Sequence, residues 1–502
     1  MTSNRPENSD DDLSRSVRSS MSWNLLEQGF SQIVVVVVFI FLTYKLEPAV
    51  FGIFALAVIC IDYFGIQGKG AAIDTLLRRQ KFDQKNLDSA FWILLACYGV
   101  GGVICFVIGW LLALASGEDS LKYILPALCL TLIPSAIEVV PGALLYRARD
   151  FKGTAIRQVF GASLGAVAAI ACAFSEYPEW TLVAQRLVQV TVAAAVMCLR
   201  AKWIPKRSFD REISASFFKD WTKVFLSQFI AVSLPRSIDL IVGLSLGATQ
   251  LGVMRVASRL VSSIYGIIGA SIGRLWVILV SETDKPELRS QIYGDLTHLT
   301  GMVFVPVFFG IFALSDEFVG FVLGDEYQGA ASVLQILSVV GLISPLYYFR
   351  NAAFTAIGLL NKLLFFCVID VVVASILCLV MIKLGFGLIG AVSSLIGVAI
   401  LQSILTTPVL LKEMHSNASV LIHRLMPAYL AGGFMAAIVF LSKSAFAADL
   451  NLGVTLLLVL TGAMAFFGFL VCFYRRWLVD AVAVAVPSVK NHPRVKRLIS
   501  SD

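Results

Sequence analysis

The sequence predicts an all-α polytopic membrane protein. About fourteen transmembrane helices are expected, as two six-helix lobes in a parallel repeat plus two C-terminal helices. Three observations carry this reading. First, 58% of the 502 residues are hydrophobic and only 15% are charged, with a mean hydropathy of +0.84, against about 25% charged in a soluble chain. Second, the apolar residues fall into long runs, and a bilayer is crossed by about 20 apolar residues in a helix. Third, lysine and arginine gather in alternate loops, as membrane orientation requires.

The runs, in order, are 22–43, 49–67, 88–114, 121–145, 154–175, 178–199, 219–246, 250–280, 296–323, 329–351, 362–384, 386–411, 422–442 and 450–475. Only Gly385 and Gly387 separate the eleventh from the twelfth. Residues 1–20 are polar, with Asp10, Asp11 and Asp12 in succession, and are expected to be a disordered tail rather than a cleavable signal peptide. The expected division is an N-lobe at 21–200, a C-lobe at 201–411, spans 13 and 14 within 412–476, and a basic tail at 477–502.

Thirty of the 40 lysines and arginines lie in the two tails and in alternate loops, on one side of the expected membrane. The other side has only Lys45, Lys122, Lys383 and Lys443. Both termini are therefore expected in the cytoplasm, as an even span count requires. The net charge of +7 follows from this asymmetry and is no nucleic-acid signal. The basic stretches 69–88 and 203–218 are expected to lie on the membrane surface as amphipathic helices. Loops on the far side are all short, which argues against a glycan polymerase or ligase.

The nine cysteines lie in apolar runs without a C-x-x-C pair, and the four histidines sit outside the spans or at their edges. Neither pattern provides a metal centre. No Walker loop or Ser/His/Asp set is present. The chain is read as a non-enzyme without a cofactor, driven by a gradient or by its substrate.

A weak repeat runs at an offset of 200. Leu26, Gln28, Leu46, Gly52 and Ala57 recur as Leu226, Gln228, Leu246, Gly252 and Ala257. This superposes spans 1 and 2 on spans 7 and 8 with the same orientation, the signature of two lobes related by an axis along the membrane normal.

Charges inside spans are costly, roughly 2.5–3.5 kcal/mol each on insertion scales, and mark candidate sites. Spans 7 and 8 contain Arg236, Asp239, Arg255, Arg259 and Arg274. Arg236 and Asp239 are three residues apart, within reach of a mutual ion pair, and Pro235 before them is expected to kink the helix. The three arginines of span 8 share an arc of about 100° and climb about 28 Å. Arg255 and Arg274 are near the ends, where snorkelling is an alternative; Arg259 is deepest. At the offset of 200 the charges of span 7 and Arg255 and Arg259 align with apolar Val36, Phe39, Ala55 and Ile59, so the expected cavity is cationic on its C-lobe wall. Span 1 carries a polar stripe of Asn24, Glu27, Gln28, Ser31 and Gln32, which either bonds to a neighbouring helix or lines a cavity. Asn24 and Gln28 join the four arginines as candidate substrate ligands. Glu27, Asp62 and Asp239 are candidates for ion coupling or gating. Asp62, Glu138, Arg186 and Asp370 read first as isolated helix–helix contacts.

Pro48-Ala49-Val50-Phe51-Gly52, Gln67-Gly68-Lys69-Gly70 and Arg78-Arg79-Gln80 resemble the first helical hairpin of bacterial polysaccharide transporters of the multidrug/oligosaccharidyl-lipid/polysaccharide flippase superfamily. Asp88-Ser89-Ala90-Phe91-Trp92, Leu145–Lys152, Arg236-Ser237-Ile238-Asp239 with Leu246-Gly247-Ala248, and Leu323–Tyr327 are similar to its later segments. The resemblance covers about residues 20–410. It implies a flippase that moves oligosaccharide repeat units on undecaprenyl diphosphate across the bacterial inner membrane, for exopolysaccharide, capsule or O-antigen. It implies alternating access, and polymerase and co-polymerase proteins as partners. A cation-coupled drug exporter of the same superfamily is the alternative, but a cationic substrate would want interior carboxylates; a polymerase or ligase and a transport-inactive scaffold are the remaining rivals.

Overall fold

The structure, a computed structural model, describes residues 34–79, 82–148, 150–281, 286–445 and 452–485. The described residues are helical, with short turns between helices and no strand. By internal contacts the chain forms two compact units, Met1–Gly252 and Val253–Asp502. Contact and repeat divide the chain by different criteria, and the contact boundary falls within α11 (Ala248–Ser281).

The first unit begins with α1 (Val34–Thr43) and α2 (Pro48–Asp62), which has proline at its first position, where no N–H is missed. A π-helical segment, Tyr63–Gly68, joins α2 to α3 (Lys69–Arg78), and the two arms Pro48–Ile59 and Tyr63–Arg78 are bent by 51°. A π turn disturbs the regular ladder of backbone bonds, and in a bilayer any freed group must find a partner within the protein. The carbonyl of Gly68 accepts from Trp221 Nε1 at 3.0 Å. The stretch expected as a surface helix from 69 therefore continues span 2 instead, and Ala71, Ala72, Thr75 and Leu76 are buried.

α4 (Gln84–Ser116) is unbroken. The fourth span is in three pieces, α5 (Leu121–Cys129), α6 (Leu132–Ile137) and α7 (Val139–Arg147). Prolines explain the breaks. Pro134 removes the bond to Leu130, and Pro141 comes one turn after Glu138, the residues at which helix gives way to turn. α8 (Phe151–Ala173) is capped by Asp150, whose Oδ1 accepts from Gly153 N at 2.9 Å. It packs on α9 (Thr181–Ala201) through Gly161-Ala162-Ser163-Leu164-Gly165. A Cβ at Gly161 or Gly165 would lie 3.0 Å from the carbonyl of Gln189 or Gln185, respectively; small residues four apart let membrane helices approach this closely.

The linker after α9 is fastened to the start of α4. Buried Asp88 accepts from Gln84 Nε2 at 2.7 Å, Lys206 N at 3.1 Å and Ser208 Oγ at 2.5 Å. Asp210 then caps α10 (Arg211–Leu246), accepting from the amides of Glu212 and Ile213. Its carboxyl is held below the usual carboxylate range, first by the hydrogen bond from Lys85 Nζ at 2.7 Å and next by the Ile213 amide. A depressed carboxylate stabilises fully above its ordinary pKa, and the contribution is lost as pH falls through the lowered value. The expected surface helix at 203–218 is instead this linker and the first turns of α10. α10 bends by 56° between Arg211–Ile230 and Val232–Leu246. Pro235, four residues after Ala231, is the cause the sequence indicated.

The second unit comprises most of α11, then α12 (Pro286–Val322), α13 (Gly329–Ile343), α14 (Arg350–Ala356), α15 (Leu360–Lys383), α16 (Gly387–Glu413), α17 (Ala418–Ala445), α18 (Leu452–Phe473) and α19 (Arg475–Ala485). Gly385 and Gly387 have φ of +86° and +55° and reverse the chain, so 360–413 is two helices and not one. α12, α17, α18 and α19 share a core that includes Val305, Ala428, Ala431, Phe466 and Trp477. α19 is held by Trp477, whose Nε1 donates to the carbonyl of Arg424 at 3.1 Å.

Among the described residues, ten helices are long and apolar enough to cross a membrane, or twelve when each bent pair is one span. The expected fourteen is not reached on that criterion. α1 is described only from Val34, and α11, which carries three arginines, is not among the ten.

A test of the α8–α9 contact follows. Gly165→Val is expected to destabilise by about 1–3 kcal/mol, the usual range for overpacking. Its Tm in nanodiscs should fall, whereas Gly99→Val, at a glycine with open space around it, should leave Tm unchanged.

Candidate functional site

Within the first unit the charges expected to stand alone are joined. Asp62 closes α2 at the start of the π segment, Arg186 lies on α9, and Arg236 lies on α10 just past its bend. Asp62 Oδ1 accepts from Arg186 Nη2 at 2.7 Å, and Oδ2 accepts from Arg236 Nη2 at 2.5 Å. Arg236 Nη1 also lies 3.7 Å from Asp239 Oδ2. The expected pair of Arg236 with Asp239 therefore exists, but the shorter bond goes to a carboxylate 174 residues away. Two arginines and two aspartates make the group neutral. Neutrality is what the membrane demands, because an uncompensated charge there is expensive. Arg186 Nε and Arg236 Nη1 are buried donors without a hydrogen-bond acceptor.

A second group lies at the break between α6 and α7. Glu138, 1% exposed, receives Lys69 Nζ on one oxygen at 3.0 Å and Arg157 Nη1 on the other at 2.5 Å. Its three charges sum to +1. Both groups are set where regular helix is interrupted, at the end of α2 and at the end of α6. A helix break turns a side chain away from its register and frees backbone that needs polar company.

Aromatic rings fill the same level of α10 and the π segment. Tyr63 stacks on Phe229 at 4.1 Å between centroids, Phe64 meets Phe225 at 5.6 Å, and Phe225 stacks on Trp221 at 5.4 Å. Tyr63 Oη donates to Ser233 Oγ at 3.2 Å. Further along, Gln228 Nε2 donates to Asp74 Oδ2 at 3.2 Å, and Arg79 pairs with Asp220 at 3.2 Å. The arm α3 and the first half of α10 are thus joined along their length.

Of the residues singled out in the sequence, the structure brings together Asp62, Arg236 and Asp239. Arg255 is half-buried and Arg259 exposed on α11, in the second unit. Arg274 is on the same helix, with its side chain outside the described ones. Asn24, Glu27 and Gln28 lie outside the described residues. Sequence reasoning treated Asp62, Glu138, Arg186 and Asp370 as isolated. Each has an ion-pair partner, Asp370 through Arg350. The partners overlooked were Lys69 and Arg350, counted as loop residues, and Arg157. Balance of sign among the charges within and beside the spans was the signal available.

A helical bundle with interrupted spans and ion pairs gathered at the interruptions is the construction of a polytopic membrane transporter. Solved structures share this fold. The chain is similar to the lipid II flippase MurJ in an inward closed conformation, with a TM-score of 0.74, 15% identity, and coverage of 91% of this chain and 100% of that one. It is also similar to a eukaryotic MATE transporter, with a TM-score of 0.56, 14% identity, and coverage of 83% and 99%. The chain belongs to the family described as polysaccharide biosynthesis protein, whose profile matches residues 42–332. A relative, the succinoglycan biosynthesis transport protein ExoT of Rhizobium meliloti (strain 1021), is 25% identical over 337 residues, 66% of this chain and 67% of that one.

The ion group can be dissected. Asp62→Leu strands two guanidinium groups and is expected to cost about 3–5 kcal/mol, the range for breaking a buried pair. Arg186→Met added to it should recover much of that loss. Arg236→Met alone should cost less than Asp62→Leu, because Arg186 still holds Asp62. Thermal unfolding of the four proteins in nanodiscs gives the order.

Proposed function

We propose that this chain translocates undecaprenyl-diphosphate-linked oligosaccharide repeat units from the cytoplasmic to the periplasmic leaflet of a bacterial inner membrane. The products serve exopolysaccharide, capsule or O-antigen synthesis. Both termini are cytoplasmic, and a polysaccharide polymerase and co-polymerase are the downstream partners. The observation that carries this reading is the family match over 42–332, a stretch that contains α2, α10 and α11 and so every described candidate residue. The name of the relative ExoT, a transport protein of succinoglycan biosynthesis, supports the same reading.

The chemistry is that of an anion moved through an apolar layer. A diphosphate offers oxygens to guanidinium forks, which bind phosphate in a bidentate manner. Arg255, Arg259 and Arg274 climb α11 as a cationic wall. Arg236 and Arg186 are held by Asp62, and each keeps a buried nitrogen without a hydrogen-bond acceptor, so a phosphate competes with Asp62 for them. Asp62, Asp239 and Glu27 are the groups through which a proton or cation would couple to that exchange, and Asn24 and Gln28 line the cytoplasmic mouth. The two lobes are 21–200 and 201–411, with 412–476 an addition.

The rival drug-exporter reading draws on the MATE-like fold. It needs carboxylates available to a cationic substrate, whereas both oxygens of Asp62 are engaged by arginines. A drug-susceptibility panel on a deletion strain separates the two readings: unchanged susceptibility with lost glycan export is the flippase result.

Arg259→Ala is expected to reach the membrane in normal amount and to lower glycan export about ten- to hundred-fold, the equivalent of about 1.5–3 kcal/mol of charge-assisted hydrogen bonding. Export at the wild-type level in that variant would remove Arg259 from the site.

A further inference from the structure

The stretches expected to be surface helices form part of a span and of a linker, but α19 combines a buried apolar face with exposed cations. α18 ends at Phe473, Tyr474 follows, and α19 starts with Arg475 and Arg476. Val471 and Phe473 in the last turn of α18 are exposed, and so are both arginines. An exposed apolar turn followed directly by exposed arginines marks the level where hydrocarbon gives way to headgroups. Beyond α19 the sequence adds Lys490, Arg494, Lys496 and Arg497 against one acid, Asp502.

α19 is also built into the bundle. Trp477, 8% exposed, enters the core formed by Val305 of α12, Ala428 and Ala431 of α17, and Phe466 and Leu470 of α18. Its ring lies 4.1 Å from that of His298, centroid to centroid, and its Nε1 donates to the carbonyl of Arg424. Arg424 in turn joins α17 to α12. Its Nη1 donates to His298 Nδ1 at 3.1 Å, and its Nη2 pairs with Asp295 at 3.2 Å. A guanidinium only donates, so His298 accepts on Nδ1 and its ring hydrogen is on Nε2. That nitrogen is buried without a hydrogen-bond partner. Trp477 therefore covers a dry polar chain that ties α12 to α17. Displacing α19 would admit water to His298 and weaken that tie.

We propose that α19 is a docking helix for the phosphate headgroups of anionic phospholipids, and that this contact, passed on through Trp477, holds α12 against α17. Guanidinium forks match phosphate oxygens, and a cation near an anionic leaflet gains about five-fold in association. On the orientation proposed above, the leaflet is the cytoplasmic one. The transported cargo plays no part in the contact.

The test places the protein in nanodiscs of phosphatidylcholine alone, or with about a quarter phosphatidylglycerol, and leaves out lipid-linked oligosaccharide. The anionic discs should raise Tm, by less at high salt. They should also slow hydrogen exchange at the facing starts of α12 and α17 by about five-fold, the factor one arginine contributes. Arg475→Gln with Arg476→Gln should leave Tm in phosphatidylcholine unchanged and abolish both responses. Trp477→Phe keeps the apolar fill but loses the bond to Arg424, so its Tm should still respond to the lipid while the slowing of exchange shrinks. An equal rise in Tm in the wild type and the double variant, or no rise in either, overturns the docking helix. A rise without slower exchange at those ends overturns the coupling through Trp477. A rise produced only when lipid-linked oligosaccharide is added to phosphatidylcholine discs assigns the two arginines to substrate instead, and also overturns the proposal.

Discussion

Two arginines on one aspartate hold the first unit in register. Asp62, Arg186 and Arg236 come from three helices, α2, α9 and α10, and none is tolerable alone in an apolar layer. Their pairing at 2.7 and 2.5 Å therefore does more than add a contact. It obliges the end of α2 to lie beside α9 and beside the bend of α10, whatever the apolar packing around them prefers. Asp239, one turn along from Arg236, brings the group to neutrality.

The interruptions of the spans follow from the same constraint on polar atoms. The π segment at Tyr63–Gly68 and the breaks of the fourth span release backbone groups, and in hydrocarbon these must be satisfied from within. Trp221 answers Gly68. Lys69 and Arg157 answer the carboxylate that stands at the second break of the fourth span. Helix breaks are thus placed where polar partners have been gathered, and the regions able to bend are the regions that hold charge. On the proposed reading, the groups that would meet an anionic headgroup and the interruptions of the helices lie within a few residues of each other.

The candidate arginines lie on three helices. Arg186 and Arg236 are balanced by carboxylates within the first unit. α11 carries Arg255, Arg259 and Arg274 and no acidic residue until its last described turn is past. On the proposed reading a phosphate competes with Asp62 for Arg186 and Arg236, and meets the arginines of α11 as well.

Much of the fold was legible in the sequence because membrane helices obey simple rules. Length and apolarity marked the spans, Pro235 marked the bend of α10, and the glycines at 385 and 387 marked a turn. Where those rules met a broken helix they failed. The basic stretch after Gly68 read as an amphipathic surface helix because hydropathy falls there, yet it continues the second span with one face buried, its Lys69 matched by Glu138. Bent and charged helices such as α11 do not register as uniform apolar runs, so length and apolarity mark ten to twelve spans among the described residues. The candidate site was half legible. Residue type alone identified Asp62, Arg236 and Asp239, because charge in hydrocarbon is conspicuous whatever its surroundings. That Asp62 holds Arg236 from 174 residues away and that Arg186 shares it are facts of tertiary structure. The sequence determined which groups could not remain alone; only the packing of the helices decided which partners neutralised them.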